Sequence, residues 1–133
     1  EGAARIHGLK VLKAGIETNP LNYTRFVVIA RSDRPVDSSF PGGNDATKAT
    51  KASIVFSTSN EAGSLFASLK VLNERGINLS KLESRPIPGK PWRQMFYLDV
   101  SVPEDRGAFD AAIEELKTKT EDFRFLGTYR ASL

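Results

Sequence analysis

After Lys51 the apolar residues change their spacing element by element, and that order restricts the fold more than any other feature. "KASIVFST", Lys51 to Thr58, alternates with Ala52, Ile54 and Phe56 on one face, the pattern of a strand. In "SNEAGSLFASLKVLNERG" the spacing switches: Leu65, Leu69 and Leu72 recur at i, i+4 and i+7 with Phe66 beside them, which predicts an amphipathic helix with Asn60 as N-cap and Gly76 as its stop. "INLSKLESRPI", Ile77 to Ile87, reads as a second strand with Lys81, Glu83 and Arg85 on one face and Pro86 ending the ladder. A turn, "PGKPW", leads into the third strand, "QMFYLDVSV", Gln94 to Val102. "PEDRGAFDAAIEELKTKT" is a second helix with the stripe Phe109, Ile113 and Leu116. Its first turn carries Glu104 and Asp105 and its last Lys117 and Lys119, which suits the helix dipole. "DFRFLGTYRAS" closes as a fourth strand with Phe123, Phe125 and Tyr129 on one side.

Strand, helix, strand, strand, helix, strand is the split βαβ order, so the expected class is α+β, ferredoxin-like, with a four-stranded antiparallel sheet. Right-handed crossovers put both helices on one face. The other face is expected to stay open, with Val55, Met95 and Tyr97 on it, and to serve dimerisation or docking.

Upstream the pattern differs. "EGAARIHG" looks like a helix end closed by Gly8, with His7 beside the cap and no further role. "LKVLKAGI", Leu9 to Ile16, is a short apolar element, and Asn19-Pro20 marks a turn. "YTRFVVIAR", Tyr23 to Arg31, carries apolar residues on both faces, as a strand buried on two sides does. It is expected to pair with the downstream sheet or another copy. Residues 32–50 are almost wholly Pro, Gly, Ser, Asp, Asn and Thr, and a connection of that length reads as a linker. The expected organisation is therefore residues 1–31 as the C-terminal tail of an α/β domain, 32–50 as linker and 51–133 as a second domain. The chain starts at Glu1 in mid-pattern without Met, and is expected to be a piece of something longer.

Composition narrows the chemistry. With 133 residues, 40% hydrophobic and 26% charged, the chain has a globular balance, and no apolar run approaches the roughly 20 residues of a membrane helix. No signal peptide pattern is visible, so a cytoplasmic location is expected. Cys is absent and His7 is the sole histidine, which excludes thiol chemistry, disulfides and multi-imidazole metal sites; no metal or cofactor is expected. A net charge of +3 with interspersed signs points to a solvated surface rather than a polyanion-binding block. The strand order is shared with the RNA-recognition fold, yet "RQMFYLDVSV" lacks its glycine-aromatic pattern and carries Asp99. An RNA-binding module is thus the alternative, with no nucleic acid the preferred expectation.

One constellation stands out. Asn60 to Leu65 is a strand-to-helix turn whose N–H groups have no intrahelical acceptor, a setting that attracts a carboxylate. Gly63 lets a ligand approach the backbone, and the Ser64 hydroxyl adds a donor and acceptor. Glu83 and Arg85 supply an anionic and a cationic handle. A free amino acid presents a carboxylate, an ammonium and a side chain, and Leu65 offers an apolar wall. On the residues alone, a cap plus a solvated charge ladder explains the same pattern, and Thr24 is explained as an ordinary β-former.

Two motifs carry a resemblance. Asn78-Leu79 followed by Glu83-Ser84-Arg85-Pro86, behind the helix start Gly63-Ser64-Leu65, resembles the ACT domain that ends prephenate dehydratases. Asn22-Tyr23-Thr24-Arg25-Phe26 resembles the segment near the end of that family's catalytic domain. Ser64 stands where the family usually has Ala, and Ala62 where it often has Pro. The resemblance implies an L-phenylalanine effector site of Asn60, Ala62, Gly63, Ser64 and Leu65 from one copy facing Glu83, Ser84, Arg85 and Pro86 of its partner in a homodimer. It implies that Thr24, with Arg25 and Phe26, is catalytic in the parent enzyme, which turns prephenate into phenylpyruvate, water and carbon dioxide. Without the rest of the catalytic domain, this chain is expected to be inactive.

Overall fold

The computed structural model describes residues 2–19, 21, 24, 26–31, 33 and 49–131. They form two compact units, Glu1–Ala30 and Arg31–Leu133.

In the first unit, α1 (Gly2–Ile6) ends where His7 N–H donates to Ala3 C=O (3.0 Å) and Leu9 N–H to Ala4 C=O (2.8 Å), with Gly8 following the helix as expected. Residues 9–19 contain no helix or strand. The strand expected over Tyr23–Arg31 is not formed: Thr24 and residues 26–31 belong to no sheet, and Tyr23 and Arg25 lie outside the described residues. Phe26 is 87% and Ile29 89% exposed. A segment apolar on both faces needs neighbours on both sides, and the sheet of the second unit has its four strands without it.

The second unit follows the predicted order: β1 (Lys51–Ser57), α2 (Ser64–Asn73), β2 (Leu79–Pro86), β3 (Gln94–Ser101), α3 (Arg106–Lys119) and β4 (Glu121–Tyr129). The strands run β2-β3-β1-β4 across the sheet, every pair antiparallel. This is the ferredoxin-like order, with β1 and β3 central and β2 and β4 at the edges.

Alternation along β1 and β3 decides the faces. Ala52, Ile54 and Phe56 lie opposite Val100, Leu98 and Phe96. They meet Val71 and Leu72 of α2 and Phe109, Ala112, Ile113 and Leu116 of α3 in one core, so both helices cover this face. Burying each large apolar side chain contributes about 1.5–3 kcal/mol. β4 breaks the expected alternation. Its register against β1 shifts between Ser53 and Ile54, where Leu126 is left without a partner. Phe125 therefore faces Ile54 on the helix side, whereas Tyr129 faces Lys51 on the other.

The helix ends differ from the expected caps. α2 begins after Gly63, which sits at φ +86° in the left-handed region with no side-chain cap, so Asn60 is not the N-cap. Asn60 stands too far upstream, because Ser64 N–H turns back to Glu61 C=O (3.3 Å) before the helix starts. The stop is as expected: Ile77 N–H returns to Leu72 C=O and Gly76 N–H to Asn73 C=O, both 3.0 Å, a Schellman closure with Gly76 at φ +63°. In α3, Asp105 is itself the cap, accepting from Ala108 N–H (3.0 Å), so neither Glu104 nor Asp105 lies in the first turn. Lys117 and Lys119 occupy the last turn as expected.

The face away from the helices carries Val55, Met95 and Tyr97, as expected; Val55 is buried, Met95 half-buried and Tyr97 exposed. Polar groups cluster toward one end of it: Ser53 donates to the Asp99 carboxylate (2.6 Å), Ser80 to the Asp99 carbonyl (3.1 Å), and Lys51 Nζ to Ser80 Oγ (2.9 Å).

Candidate functional site

The turn Ser59–Gly63 carries the chain from β1 into α2. Its geometry leaves the helix start accessible. A Cβ placed on Gly63 would meet nothing within 4 Å, so the space before this backbone is open. The first helical N–H groups after Ser64, those of Leu65 and Phe66, have no acceptor inside the helix and no side chain caps them. They present partial positive charge outward. Asn60, Glu61 and Ala62 are exposed, Leu65 packs partly against the core, and Phe66 is exposed.

Ser64 departs from expectation. Its hydroxyl donates to Ser59 C=O (2.8 Å) and lies 3.3 Å from Thr58 Oγ1, while its own carbonyl accepts from Ser68 Oγ (3.0 Å). The hydroxyl's donor is thus engaged in tying the turn to the end of β1 and is not presented to a ligand.

The second part of the predicted site is on β2. Lys81, Glu83 and Arg85 share one face, as the sequence required. Lys81 Nζ lies 3.2 Å from the Glu83 carboxylate, and the Arg85 guanidinium pairs with the same group. The hydrogen bond from Lys81 and the adjacent positive charge of Arg85 hold the Glu83 carboxyl below the usual carboxylate range. These exposed pairs add little to stability but fix a row of alternating charge.

Pro86 is the last residue of β2, opposite Gln94, as expected, and one further backbone bond, Ile87 N–H to Arg93 C=O (3.1 Å), follows it. That bond shows how the proline is tolerated. Odd-numbered residues of β2 turn their N–H toward β3; Pro86 falls on the outward side, where a missing N–H breaks no bond of the sheet.

Within one copy the two parts do not close on each other. Arg85 pairs with Met95, and Met95 with Ser57, so β3 stands between β2 and the strand that feeds the Gly63 turn. Glu83 and Arg85 sit on the face away from the helices, whereas Gly63 opens α2 on the helix face; only Ser84 and Pro86 share that side. Of the residues assigned to parent catalysis, Thr24 and Phe26 are exposed, and Arg25 lies outside the described residues.

Two concavities lie apart from most of the predicted residues. One, of about 430 Å³, lies within the β2–β3 hairpin between Pro86 and Gln94, and includes the 83% exposed Trp92. The hairpin is held across the sheet end to the start of β4, where Arg93 pairs with Glu121 and Lys90 lies 3.8 Å from Asp122, which in turn accepts from Ser57 Oγ (2.9 Å). The other, of about 410 Å³, lies where α2 gives way to β2, between Leu69 and Leu79 and including Asn78. Sequence spacing signals neither, because both arise where a turn folds against a neighbouring element; the only hint is the clustering of Pro, Gly and Trp in "PGKPW". Among the described residues there is no group of three or more His, Asp or Glu side chains able to hold a metal ion, and no helix long and apolar enough to cross a membrane.

Comparison with known proteins assigns these features a class. The prephenate dehydratase family model matches residues 1–34. The bifunctional chorismate mutase/prephenate dehydratase of Aquifex aeolicus is 37% identical over 133 residues, all of this chain and 34% of that protein. Among solved structures, a protein described as a novel type of quorum quenching acylase, GqqA, aligns over 74% of this chain and 48% of its own, with TM-score 0.59 and 28% identity. The prephenate dehydratase of Arthrobacter aurescens in complex with L-Phe aligns over 63% of this chain and 28% of its own, with TM-score 0.55 and 28% identity. The second unit thus has the ferredoxin-like, ACT-type α+β fold. Over nearly its whole length the chain is similar to bifunctional chorismate mutase/prephenate dehydratases, and it spans about a third of the length of the curated relatives it matches.

Proposed function

We propose that residues 51–133 are an L-phenylalanine-sensing regulatory domain, joined through residues 32–50 to the tail of a prephenate dehydratase catalytic domain in residues 1–31. The effector sits where two copies meet. Its carboxylate lies against the Leu65 and Phe66 N–H groups beyond Gly63, its ammonium is met by Glu83, and Arg85 and Ser84 line the partner's side with Pro86. Asn60 and Ala62 shape the turn, Leu65 touches the aromatic ring, and Ser64 acts by holding the turn to Ser59.

The observation that carries this reading is the uncapped start of α2 with open space before Gly63, on a chain whose relative of known structure is a complex with L-Phe. The separation of Glu83 from Gly63 within one copy supports a site shared between two. In the parent enzyme, Thr24 is assigned to protonating the hydroxyl that leaves prephenate as carbon dioxide departs, with Arg25 and Phe26 beside it. The exposed apolar side chains of residues 1–31 are assigned to burial in the rest of that domain. The protein is assigned to the cytoplasm, where this biosynthesis uses soluble metabolites.

The test is calorimetric titration of the 133-residue chain with each of the twenty amino acids, read beside its mass in solution. Saturable binding of phenylalanine, one per copy, to a dimer is expected. Absence of heat with phenylalanine and the other nineteen refutes the sensor.

A further inference from the structure

The hairpin between β2 and β3 breaks its own turn chemistry at one residue. Lys90 N–H donates to Ile87 C=O (3.1 Å) and Arg93 N–H to Lys90 C=O (3.2 Å), so two four-residue turns follow one another. Each has proline second and a left-handed residue third: Pro88 with Gly89 at φ +76°, then Pro91 with Trp92 at φ +65°. A turn with positive φ at its third residue selects glycine or asparagine. A bulky aromatic there is under strain. The indole gains nothing from the core in return, because Trp92 is exposed. Unfavourable backbone kept for the sake of an exposed side chain is a mark of ligand clamps.

A second observation falls on the same spot. Arg93 Nε is buried without an acceptor, although Nη2 of the same guanidinium pairs with Glu121. The concavity of about 430 Å³ that Arg93 helps to line is at the small end of ligand cavities, which suits a single-ring molecule. Trp92, Pro86, Pro91 and Ile87 give it apolar walls, and Lys90 and Arg93 give it two cations. Among the described residues no carboxylate lines it: Glu121 and Asp122, the partners of those cations, stand outside, and Lys90 is held only loosely, at 3.8 Å from Asp122. We infer that this cavity binds an aromatic monocarboxylate that has no amino group. The ring stacks on the Trp92 indole, and Lys90 and Arg93 hold the carboxylate. An ammonium finds no anionic partner here and is repelled by both cations. The effector site proposed above differs in having Glu83 for that purpose. The two share only Pro86, and this inference does not rest on that one.

Trp92 is the one tryptophan of the chain, so its fluorescence reports this cavity directly. The experiment titrates the full chain with hydrocinnamate (phenylalanine without its amino group), phenethylamine and L-phenylalanine. A saturable blue shift is expected with hydrocinnamate at millimolar concentrations, undiminished by excess L-phenylalanine, and none with phenethylamine. Lys90→Met is expected to weaken hydrocinnamate binding on the order of tenfold, through loss of one charged hydrogen bond. Trp92→Asn, followed by calorimetry, is expected to lose hydrocinnamate binding while its Tm equals or exceeds that of the wild-type chain, because Asn suits the turn. No shift with hydrocinnamate overturns the site, and an equal shift with phenethylamine overturns the ligand class. A Trp92→Asn chain that melts below the wild type overturns the claim that Trp92 is kept there for a ligand. Gly63→Asn separates the two sites: loss of phenylalanine binding alone supports both, whereas loss of hydrocinnamate binding with it shows that the cavity is not a site of its own. A hydrocinnamate shift in a chain that never binds phenylalanine sinks the sensor and leaves this site standing.

Discussion

Replacing Gly63 separates what the backbone needs from what a ligand needs. Gly63 occupies φ +86°, a region that costs an ordinary L-residue about 1–2 kcal/mol, and its missing Cβ has no neighbour within 4 Å. Gly63→Ala therefore adds strain without a clash, and a loss of about 1–2 kcal/mol is expected in urea unfolding of the chain, a fall of several degrees in Tm for a domain of this size. Asn tolerates left-handed backbone far better, so Gly63→Asn is expected to lose only a few tenths of a kcal/mol. Both side chains project into the space assigned to the effector carboxylate. Both variants are accordingly expected to lose phenylalanine binding in calorimetry, Asn at least as strongly as Ala despite its milder effect on folding. Equal loss of stability in the two variants refutes the conformational reasoning. A stable Gly63→Asn that binds phenylalanine with wild-type affinity refutes the placement of the site.

Two further outcomes test the packing and the charges. Leu116→Ala, in the centre of the core, is expected to cost about 2–5 kcal/mol in denaturant unfolding, against under about 0.5 kcal/mol for Leu126→Ala at the 62% exposed bulge of β4. Glu83 titrates below the usual carboxylate range, so its pairing contributes above that range and fades as pH falls through the lowered value; carbon-detected NMR should place its midpoint below the ordinary glutamate range, and Lys81→Met should raise it.

Much of the second unit was legible because hydrophobic period reports which face of an element is wet. Ala52, Ile54 and Phe56, and Phe109, Ile113 and Leu116, are buried where their spacing put them. The same logic failed for Tyr23–Arg31, where a two-sided apolar run specifies a strand only if neighbours exist to pair with it. It failed at Asn60 because cap identity depends on where the turn closes, and at Tyr129 because one unpaired residue reverses every side chain after it. For the candidate site, the charge row on β2 and the Gly63 helix start were readable as chemistry. The engagement of the Ser64 hydroxyl by Ser59 and the cavities beside Trp92 and Asn78 were not, since each depends on contacts between separate elements.

The sequence by itself determined the order of elements, the helix-facing residues and the alternating charge of Lys81, Glu83 and Arg85, because these follow from local periodicity and side-chain chemistry. Only the tertiary structure decided that β2 is a regular edge and β4 a broken one, that polar groups around Asp99 share the sheet's other face with Val55, Met95 and Tyr97, and that Glu83 and Gly63 belong to opposite faces of one copy. Those outcomes depend on strand order and register, which are set by how distant segments pack and are not encoded at any single position.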